Sequence, residues 1–316
     1  MRRNQWHSTA ARNLMRSTGM NDPRDAMIQC AADLLGEVEI NKPPVDLRLL
    51  GSFQRVKDIQ RVKMVPAGRL IPDGCDFIIQ VNVSHTRGKQ NFTIGHEIGH
   101  TLLFNYQTKS YIIEDLVTGQ YQQGQEEEYL CDVAAAELLM PTALFRPQAE
   151  TKGISLDTVA EFADMFQASR EATAIQLVKT NLWPCALALW HHTYTPQQER
   201  LIQQSTFAGF EAALPSKKLR LRYAVPSSSF GQYLYPYLAA QADGCLMQCY
   251  SEGGIVCGEE RLELRNKYVP FYVMAAAIEF VGEAGSVREV FSLLLPKGVV
   301  LTAHETQPDL WLTLKE

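Results

Sequence analysis

The clearest chemical feature of the sequence is the segment His96-Glu97-Ile98-Gly99-His100. In a helix, residues four positions apart lie on one face, one turn from each other. Two imidazoles at this spacing can bind one Zn²⁺ ion, each at about 2.0–2.1 Å. Glu97 points elsewhere and could take a proton from a water on that ion, then pass it to the leaving amine of a peptide bond. The segment therefore predicts a zinc-dependent hydrolytic site, with a solvated helix face as the alternative.

Such a site needs a third protein ligand and one open position, and an acidic segment further along the chain offers candidates. Glu128 and Asp132 are four residues apart and share a helix face. We predict that Glu128 binds the metal and that Asp132 holds a histidine N–H group, which fixes the tautomer of that ring. Glu127, about 100° away around the helix, is the competing ligand. The alternative is that the acidic run only stabilises the start of a helix through its dipole. Mn²⁺ or another divalent ion is the alternative to Zn²⁺.

The apolar pattern predicts the elements that carry these residues. It indicates a strand over residues 77–82, a helix over 89–105 that contains the motif, and a second helix over 125–139 that Pro141 ends. Residues 106–124 are predicted to form a loop. The strand could pair with an extended substrate, although a plain core strand explains its apolar residues equally well. Candidate donors to a transition-state oxyanion are His85, Tyr106, Tyr111 and Tyr121.

The segments before and after these elements have weaker patterns of secondary structure. Asp22-Pro23 predicts the start of a helix that extends to about residue 36. Residues 1–21 lack clear periodicity, which predicts a flexible N-terminal arm. Residues 155–182 predict two short helices with helix-turn-helix proportions, separated by residues 167–169. Arg170 and Lys179 lie in the second helix with Glu171, so packing between domains is favoured over DNA recognition.

The last part of the chain, residues 183–316, predicts a separate α+β domain. Strands are predicted over residues 185–190, 219–225, 245–250, 290–295 and 310–314, and helices over 196–213 and 268–281. The spacing of Cys245, Cys249 and Cys257 matches no common zinc site, and these cysteines are predicted to be buried apolar residues. A strand with alternating basic residues over 217–222 predicts a solvated face, with a nucleic-acid or anionic-ligand patch as the minority interpretation. His191 and His192 are adjacent, so on a strand they would point to opposite faces.

Two segments resemble the ImmA/IrrE family of metallopeptidases. They are residues 92–100 (FTIGHEIGH) and residues 131–141 (CDVAAAELLMP). The resemblance implies a zincin-like metallopeptidase domain over 22–150, a helix-turn-helix-like linker over 151–182 and a GAF-like sensor domain over 183–316. Glu128 falls where the family's third zinc ligand is expected. The chain departs from the family at Asp132, where asparagine is usual, and at Ala134, where phenylalanine is usual.

The resemblance also implies a function. Family members characteristically cut a helix-turn-helix transcriptional repressor once. We therefore expect a site-specific zinc endopeptidase that relieves repression in a stress, phage or mobile-element response. A small molecule, a nucleic acid or another protein would act as the signal at the C-terminal domain. The alternatives are a non-proteolytic zinc-containing regulatory module, against which an intact Glu97 argues, and a DNA-binding regulator.

Composition bears on the function class and the compartment. Net charge is −5, yet residues 1–63 carry 11 basic and 7 acidic side chains whereas residues 64–150 carry 5 basic and 11 acidic. No segment is basic enough to predict a clamp on duplex DNA. Seven cysteines form no CxxC pair, and neither a secretory leader nor a run of 18 apolar residues occurs. These features predict a cytoplasmic protein with reduced thiols and no membrane contact.

Overall fold

The computed structural model describes residues 6–104, 124–208, 215–282 and 285–298. The chain forms two compact units. The first consists of Met1–Gln148 and Phe162–Thr173, and the second of Ala149–Glu161 and Ala174–Glu316. The segment predicted as a linker is therefore divided between the units. Helices and strands occur in both, which confirms the predicted mixed α+β class. Among the described residues, no helix combines the length and apolar character needed to cross a membrane.

A three-stranded sheet forms part of the first unit. Its strands are β1 (Val56–Val62), β2 (Gly68–Asp73) and β3 (Asp76–Asn82), in the order β1-β3-β2. β3 pairs in parallel with β1 and antiparallel with β2. Ile79 and Val81 alternate along β3 and are fully buried, which explains the strong strand signal of this segment. The predicted strand is therefore confirmed, and it is the central strand of the sheet.

Helices account for most of the remaining described residues before 180. They are α1 (Thr9–Thr18), α2 (Pro23–Glu37), α3 (Leu47–Phe53), α4 (Arg87–Phe104), α5 (Gln125–Leu139), α6 (Thr142–Lys152), α7 (Leu156–Phe166) and α8 (Arg170–Lys179). Asp22 caps α2 by accepting the N–H of Arg24, as the sequence predicts. α4 and α5 confirm the two helices predicted to carry the motif residues. α7 and α8 confirm the pair of short helices over 155–182.

The expectation of a flexible arm over residues 1–21 is wrong where this segment is described. Residues 9–18 form α1, which Ser8 caps by accepting the N–H of Ala11. Ala10, Ala11 and Leu14 are buried, so one face of the helix packs against the unit. This amphipathic stripe is short and consists mostly of alanine, which gives a weak apolar signal in the sequence.

The second unit contains a five-stranded antiparallel sheet. Its strands are β4 (Ala186–Thr193), β5 (Lys218–Pro226), β6 (Ile255–Leu264), β7 (Lys267–Gly282) and β8 (Gly285–Pro296), in the order β5-β4-β8-β7-β6. Two helices accompany it, α9 (Pro196–Ala208) and α10 (Cys245–Glu252). Trp190 is fully buried in the core on one face of the sheet, and its Nε1–H group donates to Ser292 at 2.9 Å.

Two predictions for the second unit are wrong. Residues 245–250 were expected to form a strand and instead begin α10, because a buried carboxylate from β6, described below, accepts hydrogen bonds at the start of this helix. Residues 268–281 were expected to form a helix and instead lie in β7, which pairs with β6 on one side and β8 on the other. The strands predicted over 185–190, 219–225 and 290–295 are confirmed. The strand predicted over 310–314 lies outside the described residues.

Candidate active site

The candidate site depends on a close approach of α4 and α5. A Cβ atom added to Gly95 would lie 3.2 Å from the Cα atom of Ala135. A Cβ atom added to Gly99 would lie 3.1 Å from both the Cα and the carbonyl oxygen of Cys131. At contacts this short with backbone, a larger residue would require the two helices to move apart by a few tenths of an ångström. The two glycines, one turn apart on the motif helix, therefore bring the histidines within reach of the acidic side chains of α5.

His96 lies between two carboxylates of α5. Its Nδ1–H group donates to Asp132 Oδ1 at 2.8 Å, and its Nε2 atom lies 3.1 Å from Glu128 Oε2. Burial acts to lower the pKa of His96, but the hydrogen bonds to Asp132 and Glu128 outweigh it and raise this pKa to about 10. The carboxylates thus create a negative potential that favours a positive charge at this position.

The Nε2 atom of His100 points towards the carboxylate of Glu128 as well. Its Nε2 atom lies 3.5 Å from Glu128 Oε1, and its Nδ1 atom lies 3.4 Å from Cys131 Sγ. Burial and the nearby His96 lower the pKa of His100 to about 4, so its imidazole is neutral near neutral pH. The centroids of the two imidazole rings are 4.9 Å apart. The structure therefore brings His96, His100 and Glu128 together, with Asp132 in contact with the first of them.

The separations of these atoms fit a tetrahedral metal ion. Two ligand atoms bound at about 2.0–2.1 Å with tetrahedral angles lie about 3.3 Å apart. His96 Nε2 lies 3.1 Å from Oε2 of Glu128 and His100 Nε2 lies 3.5 Å from its Oε1, so each histidine nitrogen is close to this distance from one oxygen of the carboxylate. Two neutral imidazole nitrogens and a carboxylate oxygen form a chemically suitable donor set for Zn²⁺, and His96 would release a proton on binding the ion. These three residues would hold the ion.

Cys131 is the competing third ligand. Ligand atoms of His96, His100 and Cys131 all lie within 4.8 Å of one another. Zinc binds the thiolate form of cysteine, and burial, assisted by the carboxylates of Glu128 and Glu97, raises the pKa of Cys131 well above its usual range. Cys131 also faces the Nδ1 atom of His100, not the Nε2 atom that faces Glu128. Geometry and charge therefore favour Glu128.

Glu97, the predicted base, is buried beside the histidine pair. Only 6% of the residue is exposed. Burial raises its pKa to about 7, and the negative charge of Glu128 acts in the same direction while His96 opposes it. The start of β2 lies against this carboxylate, because a Cβ atom added to Gly68 would be 2.9 Å from Glu97 Oε1. The base therefore lies between the metal-ligand candidates and an edge strand of the sheet.

Other candidates from the sequence are less closely connected to this group. The histidine contacts described above involve Glu128, and the charge of Glu127 contributes to the raised pKa of Cys131. His85 precedes α4 and has a buried Nδ1 atom without a hydrogen-bond partner, but it takes no part in these contacts. Tyr106, Tyr111 and Tyr121 lie outside the described residues. Gly68, Gly95 and Gly99 were not identified from the sequence, although the four-residue spacing of the last two on the motif helix is a signal of close helix packing.

Parts of this chain are similar to known proteins. The family described as the IrrE N-terminal-like domain matches residues 68–178. The radiation response metalloprotease IrrE of Deinococcus radiodurans is 29% identical over 154 residues, which cover 49% of this chain and 44% of that protein. The match thus spans less than half the length of this relative. A transcriptional regulator of Mycobacterium tuberculosis has a similar fold, with a TM-score of 0.53 and 12% identity over 93% of this chain and 84% of that chain.

The family match covers the part of the chain that contains the histidine pair, Glu97 and the acidic helix. The name of that relative describes it as a metalloprotease. Residues 68–178 therefore form a domain that is similar to the metallopeptidase domain of the ImmA/IrrE family.

Proposed function

We propose that this protein is a site-specific zinc endopeptidase. In this proposal His96, His100 and Glu128 bind the metal, Glu97 is the general base, and Asp132 orients His96. The observation that carries the proposal is the convergence of two histidine Nε2 atoms on one carboxylate, 3.1 Å and 3.5 Å away, next to a buried glutamate. A structural zinc site has no need for a buried base, so this combination supports hydrolysis over a structural role.

Each side chain of the site has its own role in the proposed reaction. When bound, the metal would supply Lewis acidity and lower the pKa of a water to about 7. Glu97 takes the proton of the attacking water on a carboxylate oxygen and passes it to the leaving amine nitrogen. A pKa raised to about 7 suits both halves of this transfer near neutral pH. Asp132 holds the Nδ1–H group of His96, which leaves Nε2 unprotonated for the metal.

The substrate strand is proposed to pair with β2, not with β3 as the sequence analysis suggested. β3 is hydrogen-bonded to β1 on one edge and to β2 on the other, so it has no free edge. β2 is an edge strand among the described residues, and its first residue, Gly68, lies against Glu97. An extended peptide added to β2 would present successive carbonyl groups near the base. One bond would then be aligned for cleavage.

The resemblance to the ImmA/IrrE family supports a regulatory substrate. We propose that the substrate is a helix-turn-helix transcriptional repressor and that one cut relieves repression in a stress, phage or mobile-element response. The related Deinococcus radiodurans protein is a radiation response metalloprotease, which is in keeping with such a role. We also propose that the second unit is a GAF-like sensor domain that controls the peptidase. Both roles are inferred from the resemblance to this family.

The test combines metal analysis with cleavage. The full chain is loaded with Zn²⁺ and incubated with helix-turn-helix repressors encoded next to its gene, and the fragments are identified by mass spectrometry. The wild type should bind one zinc per chain and cut at one bond. Glu97→Gln should keep the zinc and cleave about 100- to 10,000-fold more slowly. Glu37→Gln, an exposed position on α2, is the matched control and should behave as the wild type.

The outcomes separate the alternatives. If Glu97→Gln cleaves as fast as the wild type, the assigned base is wrong. If zinc binds with His96, His100 and Glu128 as ligands but no repressor is cut, a non-proteolytic zinc module becomes the better explanation. Loss of zinc on Cys131→Ser but not on Glu128→Gln would replace the proposed third ligand.

A further inference from the structure

A cavity of about 340 Å³ lies in the first unit, apart from the candidate active site. Arg48, Arg61 and Arg87 line it, together with Asp46 and apolar residues that include Ile59 and Ile94. Its volume lies within the range of about 300–1,000 Å³ that is typical of small-molecule sites. Arg87 is the first residue of α4 and precedes His96 by nine residues, or about 14 Å along the helix. His96, Glu97, His100 and Glu128 are not among the residues that line the cavity, so it is a separate site.

Two of the three guanidinium groups are held in place by neutral oxygens. Arg48 Nη2 donates to the carbonyl oxygen of Ile59 at 3.2 Å. Arg61 Nε donates to Gln90 Oε1 at 3.0 Å. A carbonyl or amide partner orients a guanidinium group but leaves its charge uncompensated. The side chains are thus positioned at the cavity while their positive charges stay available.

No carboxylate neutralises these charges among the residues that the structure describes. The ion pairs found there include none with Arg48, Arg61 or Arg87. Asp46 is the single acidic residue on the cavity wall, and its Oδ1 atom accepts the N–H groups of Arg48 and Leu49 at the start of α3. Three cationic side chains therefore face the cavity against one carboxylate that already serves as a helix cap.

We propose that this cavity binds a small phosphorylated ligand of the size of a nucleoside monophosphate. Guanidinium groups match phosphate oxygens in charge and in the geometry of their paired N–H donors. The wall at Ile59 and Ile94 offers an apolar surface for the part of the ligand that carries no charge. The start of α4 adds the positive end of a helix dipole. This binding needs neither the metal nor peptidase activity, so it stands apart from the proposed function.

The test measures binding of defined probes to the full chain by isothermal titration calorimetry at constant ionic strength. The probes are adenosine 5′-monophosphate, inorganic phosphate, adenosine and a short DNA duplex. Adenosine 5′-monophosphate should bind and adenosine should not, because the phosphate supplies the charge. Comparison with inorganic phosphate shows whether the rest of the molecule contributes. Arg87→Gln should weaken binding about tenfold or more.

The matched control is Arg12→Gln, which removes the same charge from an exposed position on α1 outside the cavity. Its affinity for adenosine 5′-monophosphate should stay within about twofold of the wild-type value, because a charge outside the cavity acts only through a weak, screened long-range effect. Circular dichroism verifies that both variants are folded. The proposal is overturned if neither phosphate probe binds at millimolar concentration, if both variants weaken binding equally, or if only the DNA duplex binds.

Discussion

Gly68 lies directly against the carboxylate of Glu97. A Cβ atom added to this glycine would be 2.9 Å from Glu97 Oε1 and 2.3 Å from Thr93 Cγ2. A strand residue thus sets the position of the proposed base on the helix beside it. A side chain at residue 68 would have to displace these two side chains, and the glycine places the start of the edge strand next to the proposed base.

Gly68→Ala should therefore impair cleavage more than it impairs metal binding. The added methyl group would displace the carboxylate of Glu97, and a displacement of about 1 Å can cost about a hundredfold in rate. The double variant Gly68→Ala/Thr93→Ser removes the contact with Cγ2 and keeps the one with Glu97. This double variant should be more thermally stable than Gly68→Ala, while its kcat/KM should stay as low as that of Gly68→Ala. Recovery of full activity in the double variant would show that the base was never displaced.

Gly36→Ala is the control for that experiment, because nothing lies within 4 Å of a Cβ atom at this helical position. It should keep full activity. Its stability should equal or exceed that of the wild type by up to about 1 kcal/mol, since alanine favours the helix.

Asp132 should tolerate asparagine but not alanine. Its Oδ1 atom accepts the Nδ1–H group of His96, and the amide oxygen of asparagine can accept the same bond. Asp132→Asn should thus keep most of the zinc affinity, whereas Asp132→Ala should lower it by about 10- to 100-fold. Competition with a chromophoric chelator measures both. Equal losses in the two variants would mean that the negative charge of Asp132, and not its hydrogen bond, is what matters.

Glu137 should make stability depend on pH. It is buried, its carboxylate accepts the N–H group of Thr142 at 2.9 Å, and burial raises its pKa above the ordinary 4.5. A raised pKa means that the folded state holds the proton more tightly than the unfolded state. The stabilisation is therefore complete below pH 4.5 and is lost as the pH rises through the folded-state pKa.

Glu137→Gln imitates the protonated form and should remove this dependence. Relative to the wild type, the variant should gain stability as the pH rises from 4.5 to 7, as followed by urea unfolding of the zinc-loaded protein. The exposed Glu37→Gln substitution should leave the pH profile unchanged. A wild type that gains stability relative to Glu137→Gln over this range would contradict the sign of the effect.

Glu260 should decide whether α10 forms. This residue is 1% exposed, and its carboxylate accepts the N–H groups of Gln241 and Leu246 at 3.1 Å each. Glu260→Ala would leave these donors without a partner at the start of the helix, at a cost of about 2–3 kcal/mol. Hydrogen exchange should show loss of protection at residues 246–252 specifically. Unchanged protection there would show that the helix does not depend on this cap.

Local patterns were sufficient for the elements that carry the site. Residues at a spacing of four, an apolar stripe and a terminating proline are properties of a single segment, so the helices around His96 and Glu128 and the strand over 77–82 could be predicted. The pairing of Asp132 with a histidine could be predicted for the same reason. Asp132 follows Glu128 by four residues, so both side chains lie on one face of the helix. The roles of these residues stay predictions until metal and cleavage are measured.

The tertiary structure decided what depends on partners distant in the chain. Residues 268–281 form a strand because two neighbouring strands satisfy the hydrogen bonds of both edges, although alanines at 275–277 favour a helix locally. Residues 245–250 form a helix because a carboxylate from β6 caps it. Likewise, the local sequence around β2 predicts neither that this strand has a free edge nor that Gly68 contacts Glu97, because both depend on how separate segments pack together. Hydrogen bonding and close packing between segments outweigh local preference, and only the folded chain shows which segments meet.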